Sequence, residues 1–347
     1  GEVGARGLTN DMAGVPRPEP AAAEWLDLVS EPIVDADAAI IDPHHHLWPP
    51  GGSMPYQLAD LHADLAAGHN IVDSVFVECG ASYDRTTDDT LAPVGETAYV
   101  TGEAERSDRQ VMGGIVAHAD LRDAGNLDAV LDAHEAAAHG RFRGIRHAGS
   151  HALHPEVLTI PGRAPAGLYA DPAFRAGVAR LGERNLSYDT WHYHYQNRDF
   201  LDLARSVPGT TMVLDHFGTP LGVGPYEGQR EAIFQQWQAD IAEIAECSNV
   251  VAKIGGLAMP DNGFGWHTAD RPPTSDEFIE AQGRYYLHTI EQFGPTRCMF
   301  ESNFPVDRLS LSYRTFWNAA KKLIADFSAD ERDAMLRGTA ARVYRLG

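Results

Sequence analysis

The stretch Ile40–Trp48, which reads IIDPHHHLW, joins a β-branched apolar pair to a cluster of histidines. The break PPGG follows at residues 49–52, and this order is typical of a short buried strand that ends in a loop. Side chains two positions apart on a strand share a face, so we expect His44 and His46 to point the same way, with Asp42 one step deeper. Two converging imidazoles suit a divalent metal or an oxyanion; the alternative is a surface histidine cluster.

Apolar runs and helical patterns alternate along the rest of the chain. After the opening strand, the sequence predicts seven more at 71–78, 111–117, 142–147, 186–191, 211–216, 250–256 and 298–305. Such alternation favours a parallel sheet covered by helices. Eight units over about 310 residues fit a closed barrel better than an open sheet. We therefore predict a single α/β (β/α)8 TIM barrel over residues 38–347, after an N-terminal extension (1–37) with a short helix at 21–29.

Composition narrows the classes of partner and compartment. The 347 residues carry a formal net charge of −21, which repels phosphate backbones, so we expect no nucleic acid partner. No run approaches about 18 apolar residues, and no secretory signal pattern is seen, so no membrane association is expected. The three cysteines, Cys79, Cys247 and Cys298, are scattered, which favours a reducing cytoplasm. A homo-oligomer is left open.

Polar and ionisable residues collect at the carboxyl ends of the predicted strands, where barrels of this kind carry their chemistry. The set comprises His44, His46, Glu78, His118, Arg146, His147, Asp189, His192, Asp215, His216, Lys253, Glu301, Asn303 and Asp307. Long connections follow the same strand ends at 79–110, 148–171, 217–230 and 257–274. Long loops on one face indicate a lid over a pocket.

The candidate residues differ in how firmly the sequence assigns them. His216 is the natural third imidazole beside His44 and His46, and three histidines with an open position would hold a catalytic zinc. A structural, hydrogen-bonded His216 is the alternative. Arg146 ends a buried strand and must meet either a protein carboxylate or an anionic substrate group. The other substrate-binding candidates are Lys253, which is equally ambiguous, His147, Glu78, His192, and Trp266 as part of the pocket wall.

Four motifs in order carry a family resemblance: DPHHHLW at 42–48, GIR at 144–146, LDHFG at 214–218 and SNFP at 302–305. With them the chain resembles the amidohydrolase superfamily, and more narrowly the amidohydrolase-related branch that includes sugar-acid lactonases and pyrone dicarboxylate lactonase. The resemblance covers about residues 38–347. It implies that the histidines contact metal or substrate oxygens, that the arginine binds a substrate carboxylate, and that a strand-eight Asp activates water. The implied positions are His44, His46, His216, Arg146 and Asn303.

The strand-eight position departs from this family. The family usually shows Gly-Ser-Asp, whereas this chain has Glu301-Ser302-Asn303, and an asparagine cannot act as a general base. Glu301 would share a face with Asn303 on a strand, so we hypothesise that Glu301 has taken over the role of the carboxylate. The neighbouring carboxylates Asp307 and Glu78 are alternatives.

The resemblance leaves the cofactor and the reaction open. Members of the branch occur with and without a metal, so either a divalent metal such as zinc, on His44, His46, His216 and Glu301, or no metal is expected. The leading hypothesis is a hydrolase that opens a small carboxylate-bearing lactone or related cyclic ester. The alternatives are a non-oxidative decarboxylase of an aromatic or unsaturated acid, and a non-catalytic ligand-binding barrel.

Overall fold

A computed structural model describes residues 21–347, in which eight parallel strands form one barrel sheet in the order β1 to β8. The predicted (β/α)8 fold is confirmed. The sheet closes where the exit of β8 meets β1, through a hydrogen bond of 2.8 Å from the His46 amide to the Phe304 carbonyl. The strands are β1 Ala39–His45, β2 Asn70–Val77, β3 Gly114–Ala117, β4 Phe142–Arg146, β5 Ser187–Thr190, β6 Met212–Leu214, β7 Val250–Ile254 and β8 Cys298–Phe300.

Helices connect the strands and cover the outside of the barrel. They are α1 Ala23–Leu26, α2 Leu58–Leu65, α3 Val94–Arg106, α4 Leu127–Ala138, α5 Pro172–Glu183, α6 Asn197–Ser206, α7 Arg230–Ala245, α8 Ser275–Phe293, α9 Tyr313–Leu323, α10 Ala329–Asp333 and α11 Thr339–Val343. The helix predicted at 21–29 is therefore only one turn long. The predicted extension 1–37 lies partly outside the described residues, because the description begins at residue 21.

The centre of the barrel holds a small apolar cluster. Valines of β2, β3, β6 and β7 meet Met299 of β8, and Tyr344, which follows α11, packs into the same cluster. Thr339 of α11 donates a hydrogen bond of 3.0 Å to the carbonyl of Pro295, just before β8. The C-terminal segment therefore closes the amino end of the barrel and leaves the carboxyl end for the site.

Among the strands that end earlier than predicted, β6 and β8 leave two predicted site residues beyond their ends. β6 stops at Leu214 and β8 at Phe300, so the expectation that His216 and Asn303 lie on strands was wrong. Both residues adopt left-handed backbone conformations, with φ of 57° for His216 and 53° for Asn303. Such a conformation is uncommon outside glycine.

Across residues 21–347, the structure contains no helix with the length and apolar character needed to cross a bilayer. Cys79, Cys247 and Cys298 are all free thiols.

Candidate active site

Three imidazoles from distant parts of the chain meet at the carboxyl end of the barrel. The ring centroids of His44 and His46 are 5.1 Å apart, and those of His44 and His216 are 4.7 Å apart. All three side chains are buried. The structure therefore brings together the three histidines that the sequence predicts as one cluster.

Asp42 does not belong to this cluster. The pairing of β1 with β2 shifts register between Asp42 and His45, at Pro43, so the simple alternation of faces is interrupted. The carboxylate of Asp42 accepts hydrogen bonds from the Tyr313 hydroxyl at 2.8 Å and the Ser302 amide at 3.1 Å. The expectation that Asp42 lies below His44 on the same face was wrong; this residue anchors the exit of β8 instead.

His46 has a defined hydrogen-bonding state. Its Nδ1 lies 2.7 Å from the carbonyl oxygen of Val77, so this nitrogen carries the proton and Nε2 keeps its lone pair. Burial, followed by the charge of Arg146, lowers the pKa of His46 well below its usual value. His46 therefore offers the site a neutral nitrogen acceptor.

Glu301 reaches the histidine cluster from the end of β8. Its Oε1 lies 2.5 Å from Nδ1 of His216 and 3.9 Å from Nδ1 of His44, and the side chain is fully buried. The short contact with His216 lacks the alignment of a hydrogen bond. A carboxylate therefore faces the cluster, as the hypothesis for Glu301 requires, although it does so from a turn rather than from a strand.

Asn303 and Asp307 form a second polar pair at the same end of the barrel. The Asn303 amide donates to Oδ1 of Asp307 at 2.8 Å, and the Ala258 amide donates to Oδ2 of Asp307 at 3.2 Å. Burial raises the pKa of Asp307 well above its usual value. The structure thus places Asp307 behind Asn303, as a group that orients the amide.

Arg146 meets protein carboxylates, one of the two alternatives predicted for it. Its Nε donates to Oε1 of Glu78 at 3.0 Å, and a terminal nitrogen donates to the Glu78 carbonyl at 2.8 Å. The other terminal nitrogen lies 3.4 Å from Oδ2 of Asp215. Glu78 therefore serves as the partner of Arg146, and the positive charge of Arg146 is largely compensated within the protein.

Lys253 forms the lowest layer of the site. Its ammonium donates to Oδ2 of Asp189 at 2.7 Å and lies 3.2 Å from Nδ1 of His44. It also lies 3.7 Å from Oδ1 of Asp215. Burial, reinforced by the nearby Asp189 carboxylate, raises the pKa of Asp215 well above its usual value.

A small cavity of about 30 Å³ borders this polar layer. Its lining combines polar and apolar side chains, as is usual for a site that binds a small molecule. The lining residues are His46, Arg146, His216, Asn303, Cys79, Ile160, Trp191, Met259 and Val306.

Three of the predicted substrate-binding residues lie away from this cavity. His147 packs against Phe174 with ring centroids 5.2 Å apart, and burial lowers its pKa to about 3. His192 is held by the Tyr169 hydroxyl and the side chain of Asn197. Trp266 stacks on Phe264 and Phe278. A position at a strand end does not decide which way a side chain points, and that limit explains these placements.

The apolar wall was not predicted. Ile160 and Met259 lie in the long loops at 148–171 and 257–274, and Trp191 follows β5 directly. The long loops after β4 and β7 were the available signal, since they were expected to cover the pocket. Ile160 is fixed there by its amide, which donates to the Asp261 carboxylate of the second loop at 2.9 Å.

The buried donor atoms fit a divalent metal. His44, Asp215 and His216 each offer one ligand atom, and these atoms lie within 4.8 Å of one another. Within residues 21–347, His44 Nε2, Asp215 Oδ1, His216 Nδ1 and Glu301 Oε1 are buried without an aligned hydrogen-bond partner. Buried polar atoms are normally paired, and imidazole nitrogens with carboxylate oxygens suit zinc and similar ions. The group contains Asp215 where the sequence predicts His46.

Comparison with known proteins places this site in a family. The family model described as "Amidohydrolase" matches residues 41–346. The chain belongs to the amidohydrolase family. This amidohydrolase is 34% identical over 342 residues to the uncharacterised protein y4mH of Sinorhizobium fredii, covering 90% of the chain and all of that relative.

Two further relatives bear on chemistry. The L-fucono-1,5-lactonase of Burkholderia multivorans is 29% identical over 177 residues, which cover 51% of this amidohydrolase and 57% of the lactonase. An amidohydrolase from Burkholderia multivorans solved with bound zinc is 26% identical, with a TM-score of 0.68, and covers 89% of this chain and all of its own. The resemblance drawn from the four motifs is thus confirmed.

Proposed function

We propose that this amidohydrolase opens a lactone or related cyclic ester by addition of water. The observation that carries the proposal is that His216, in contact with the Glu301 carboxylate, lines the same cavity as Arg146 and Asn303. A base and hydrogen-bond donors beside one small cavity are what acyl transfer to water requires. The family and the lactonase relative support a hydrolase of this type.

The His216–Glu301 pair supplies the base. Glu301 accepts a hydrogen bond from Nδ1 of His216, so Nε2 of His216 carries the free lone pair. This nitrogen takes a proton from water as the water oxygen attacks the carbonyl carbon. The bond between the carbonyl carbon and the ring oxygen then breaks. The ring oxygen takes the proton back from Nε2, and the product is a hydroxy acid. Glu301 acts through His216 in this scheme, whereas the sequence hypothesis had Glu301 activate water directly.

Asn303 supplies a donor that stabilises negative charge on the carbonyl oxygen, and Arg146, which is paired with Glu78, lines the same cavity. Asn303 cannot take a proton, but its amide can donate, and Asp307 holds it in place. Donors fixed in advance, in a site that excludes water, stabilise a developing oxyanion strongly. The change from the family's Asp to Asn303 is thus a change from base to donor.

A divalent metal would be held by His44, Asp215 and His216, and His216 would then serve as a ligand in place of its role as the base. When bound, it supplies Lewis-acid polarisation of the carbonyl group or of water.

The contacts of Arg146 argue against the expected negative charge on the substrate. A carboxylate-bearing lactone was expected because Arg146 was taken as its anchor. Arg146 is already paired with Glu78 and lies close to Asp215, so a substrate carboxylate would have to displace one of them. We therefore propose an uncharged lactone ring as the preferred substrate, with carboxylate-bearing lactones as poorer ones.

A substrate panel tests the proposal. Uncharged sugar lactones, carboxylate-bearing lactones and aromatic acids are offered to the protein with and without zinc, while acid release and CO2 are measured separately. We expect acid release from the uncharged lactones without CO2. CO2 from the aromatic acids would favour the decarboxylase alternative. Ligand-induced thermal shifts without turnover would favour the non-catalytic barrel.

A further inference from the structure

The ammonium group of Lys253 is buried inside the barrel, where two carboxylates and an imidazole surround it. Its nitrogen donates to Asp189 at 2.7 Å, lies 3.2 Å from Nδ1 of His44, and lies 3.7 Å from the Asp215 carboxylate. The Lys253, Asp189 and Asp215 side chains are fully buried. A buried cation persists only when it is paired, and here two carboxylates surround it.

Tyr344 completes this arrangement from the C-terminal segment. Its hydroxyl donates to the Asp189 carboxylate at 2.8 Å. The centroid of its ring lies 5.1 Å from the ammonium nitrogen of Lys253, within the range of a cation–π contact. Lys253 is thus held both by charge and by packing.

This ammonium contacts two of the three residues that could hold a metal. The group consists of His44, Asp215 and His216, and the ammonium lies close to His44 and Asp215. An ammonium can only donate, so a neutral His44 that accepts from it at Nδ1 carries its proton on Nε2 and has no lone pair left for a metal. A divalent ion bound to these ligands would also lie close to a like charge, and at such distances the repulsion is large in a buried site.

We propose that Lys253 is a built-in competitor of the divalent metal. In the metal-free chain its ammonium balances the charge of Asp189 and Asp215. Metal binding then requires Lys253 to give up its contacts with His44 and Asp215 and to rest on Asp189 alone. This inference concerns the cation content of the site and does not depend on the proposed reaction.

The variant Lys253→Met tests the proposal through metal affinity rather than activity. Methionine keeps much of the volume of lysine and removes the charge. We expect metal-free Lys253→Met to bind zinc about tenfold or more tightly than the wild type in isothermal titration with a competing chelator. Unchanged or weaker zinc binding by the folded variant would overturn the proposal.

Lys321→Met is the matched control. Lys321 is also a buried lysine whose ammonium contacts an imidazole, at 2.8 Å from Nδ1 of His69, but it belongs to α9 and lies outside the site. We expect its zinc affinity to equal that of the wild type. An equal gain in both variants would show a nonspecific effect of net charge and would overturn the proposal.

A second measurement uses the wild-type chain and needs no variant to fold. Crystals are grown with and without zinc, and anomalous scattering locates the zinc. The two structures show the position of the zinc and that of the Lys253 ammonium directly. We expect zinc on His44, Asp215 and His216, with the Lys253 ammonium moved out of hydrogen-bond distance of His44. Zinc bound there while Lys253 keeps both contacts, or zinc bound away from His44 and Asp215, would contradict the proposal.

Discussion

At the scale of single residues, Asn303 stands where the resembled family usually has an Asp, and its surroundings are those of an amide donor. Its amide lies at the cavity and is oriented by Asp307, whose other oxygen is held by a backbone amide. A carboxylate at position 303 would face the Asp307 carboxyl group at hydrogen-bond distance. The local environment therefore suits a donor better than an acid.

Asn303→Asp should lower both activity and stability. The lost amide donor should reduce lactone turnover by about 10²–10³-fold, the usual effect of removing one oxyanion donor. The new carboxyl beside Asp307 should cost about 1–3 kcal/mol of unfolding free energy, more at high pH, where both acids ionise. Turnover and urea unfolding at pH 5 and pH 8 measure these effects. Asn303→Ala is the control: it should lose similar activity but show less pH dependence, and a more active Asn303→Asp would contradict the assignment.

At the scale of elements, the sequence predicted the strands well and their ends poorly. Runs of apolar residues predicted β6 and β8, because strands of a parallel sheet are buried on both faces and carry apolar residues on each. The backbone after each strand is held by tertiary contacts. The backbone N–H of His216 donates to a Glu301 oxygen at 3.4 Å, and the backbone N–H of Asn303 donates to the His44 carbonyl at 3.0 Å. No local pattern marks a left-handed histidine or asparagine. The cluster was therefore predictable, whereas the directions of His147, His192 and Trp266 were not.

Asp64 of helix α2 is a titrating group that should make the free energy of unfolding depend on pH. The Asp64 carboxylate accepts a hydrogen bond of 2.5 Å from the buried Tyr56 hydroxyl, and burial raises the pKa of Asp64 to about 6. The folded chain then binds a proton more tightly than the unfolded chain between about pH 4 and pH 6. This group's contribution is most favourable below pH 4 and is lost as the pH rises through 6.

Asp64→Asn should remove this dependence. We expect a flatter curve of unfolding free energy against pH between 4 and 6 in the variant, because asparagine accepts the Tyr56 hydrogen bond without titrating. Urea unfolding at half-unit steps of pH measures it. Parallel curves for the variant and the wild type would refute the assignment.

At the scale of the whole molecule, one polar layer joins both ends of the barrel. It runs from Tyr344 through Asp189 and Lys253 to His44. The alternation of strands and helices predicted the barrel and the face of the site. It could not predict that the last residues of the chain close the opposite end, because Tyr344 is separated by 155 positions from its partner Asp189.

Tyr344→Ala should therefore destabilise the entire fold. Removing a fully buried ring and the hydroxyl bonded to Asp189 should cost about 3–5 kcal/mol of unfolding free energy. Leu287→Ala, at a leucine of α8 that is 44% exposed, should change it by about 0.5 kcal/mol or less. Denaturant unfolding compares the two. Equal, small effects would show that the C-terminal segment is peripheral.

The central claim is that Glu301 and His216 together form the base of a lactone hydrolase. The most direct measurement is the turnover number of Glu301→Gln on the best uncharged lactone of the panel, beside its thermal unfolding midpoint. We expect turnover about 10²–10⁴-fold below that of the wild type, with the midpoint nearly unchanged. A Glu301→Gln protein that hydrolyses the lactone at the wild-type rate would contradict the claim.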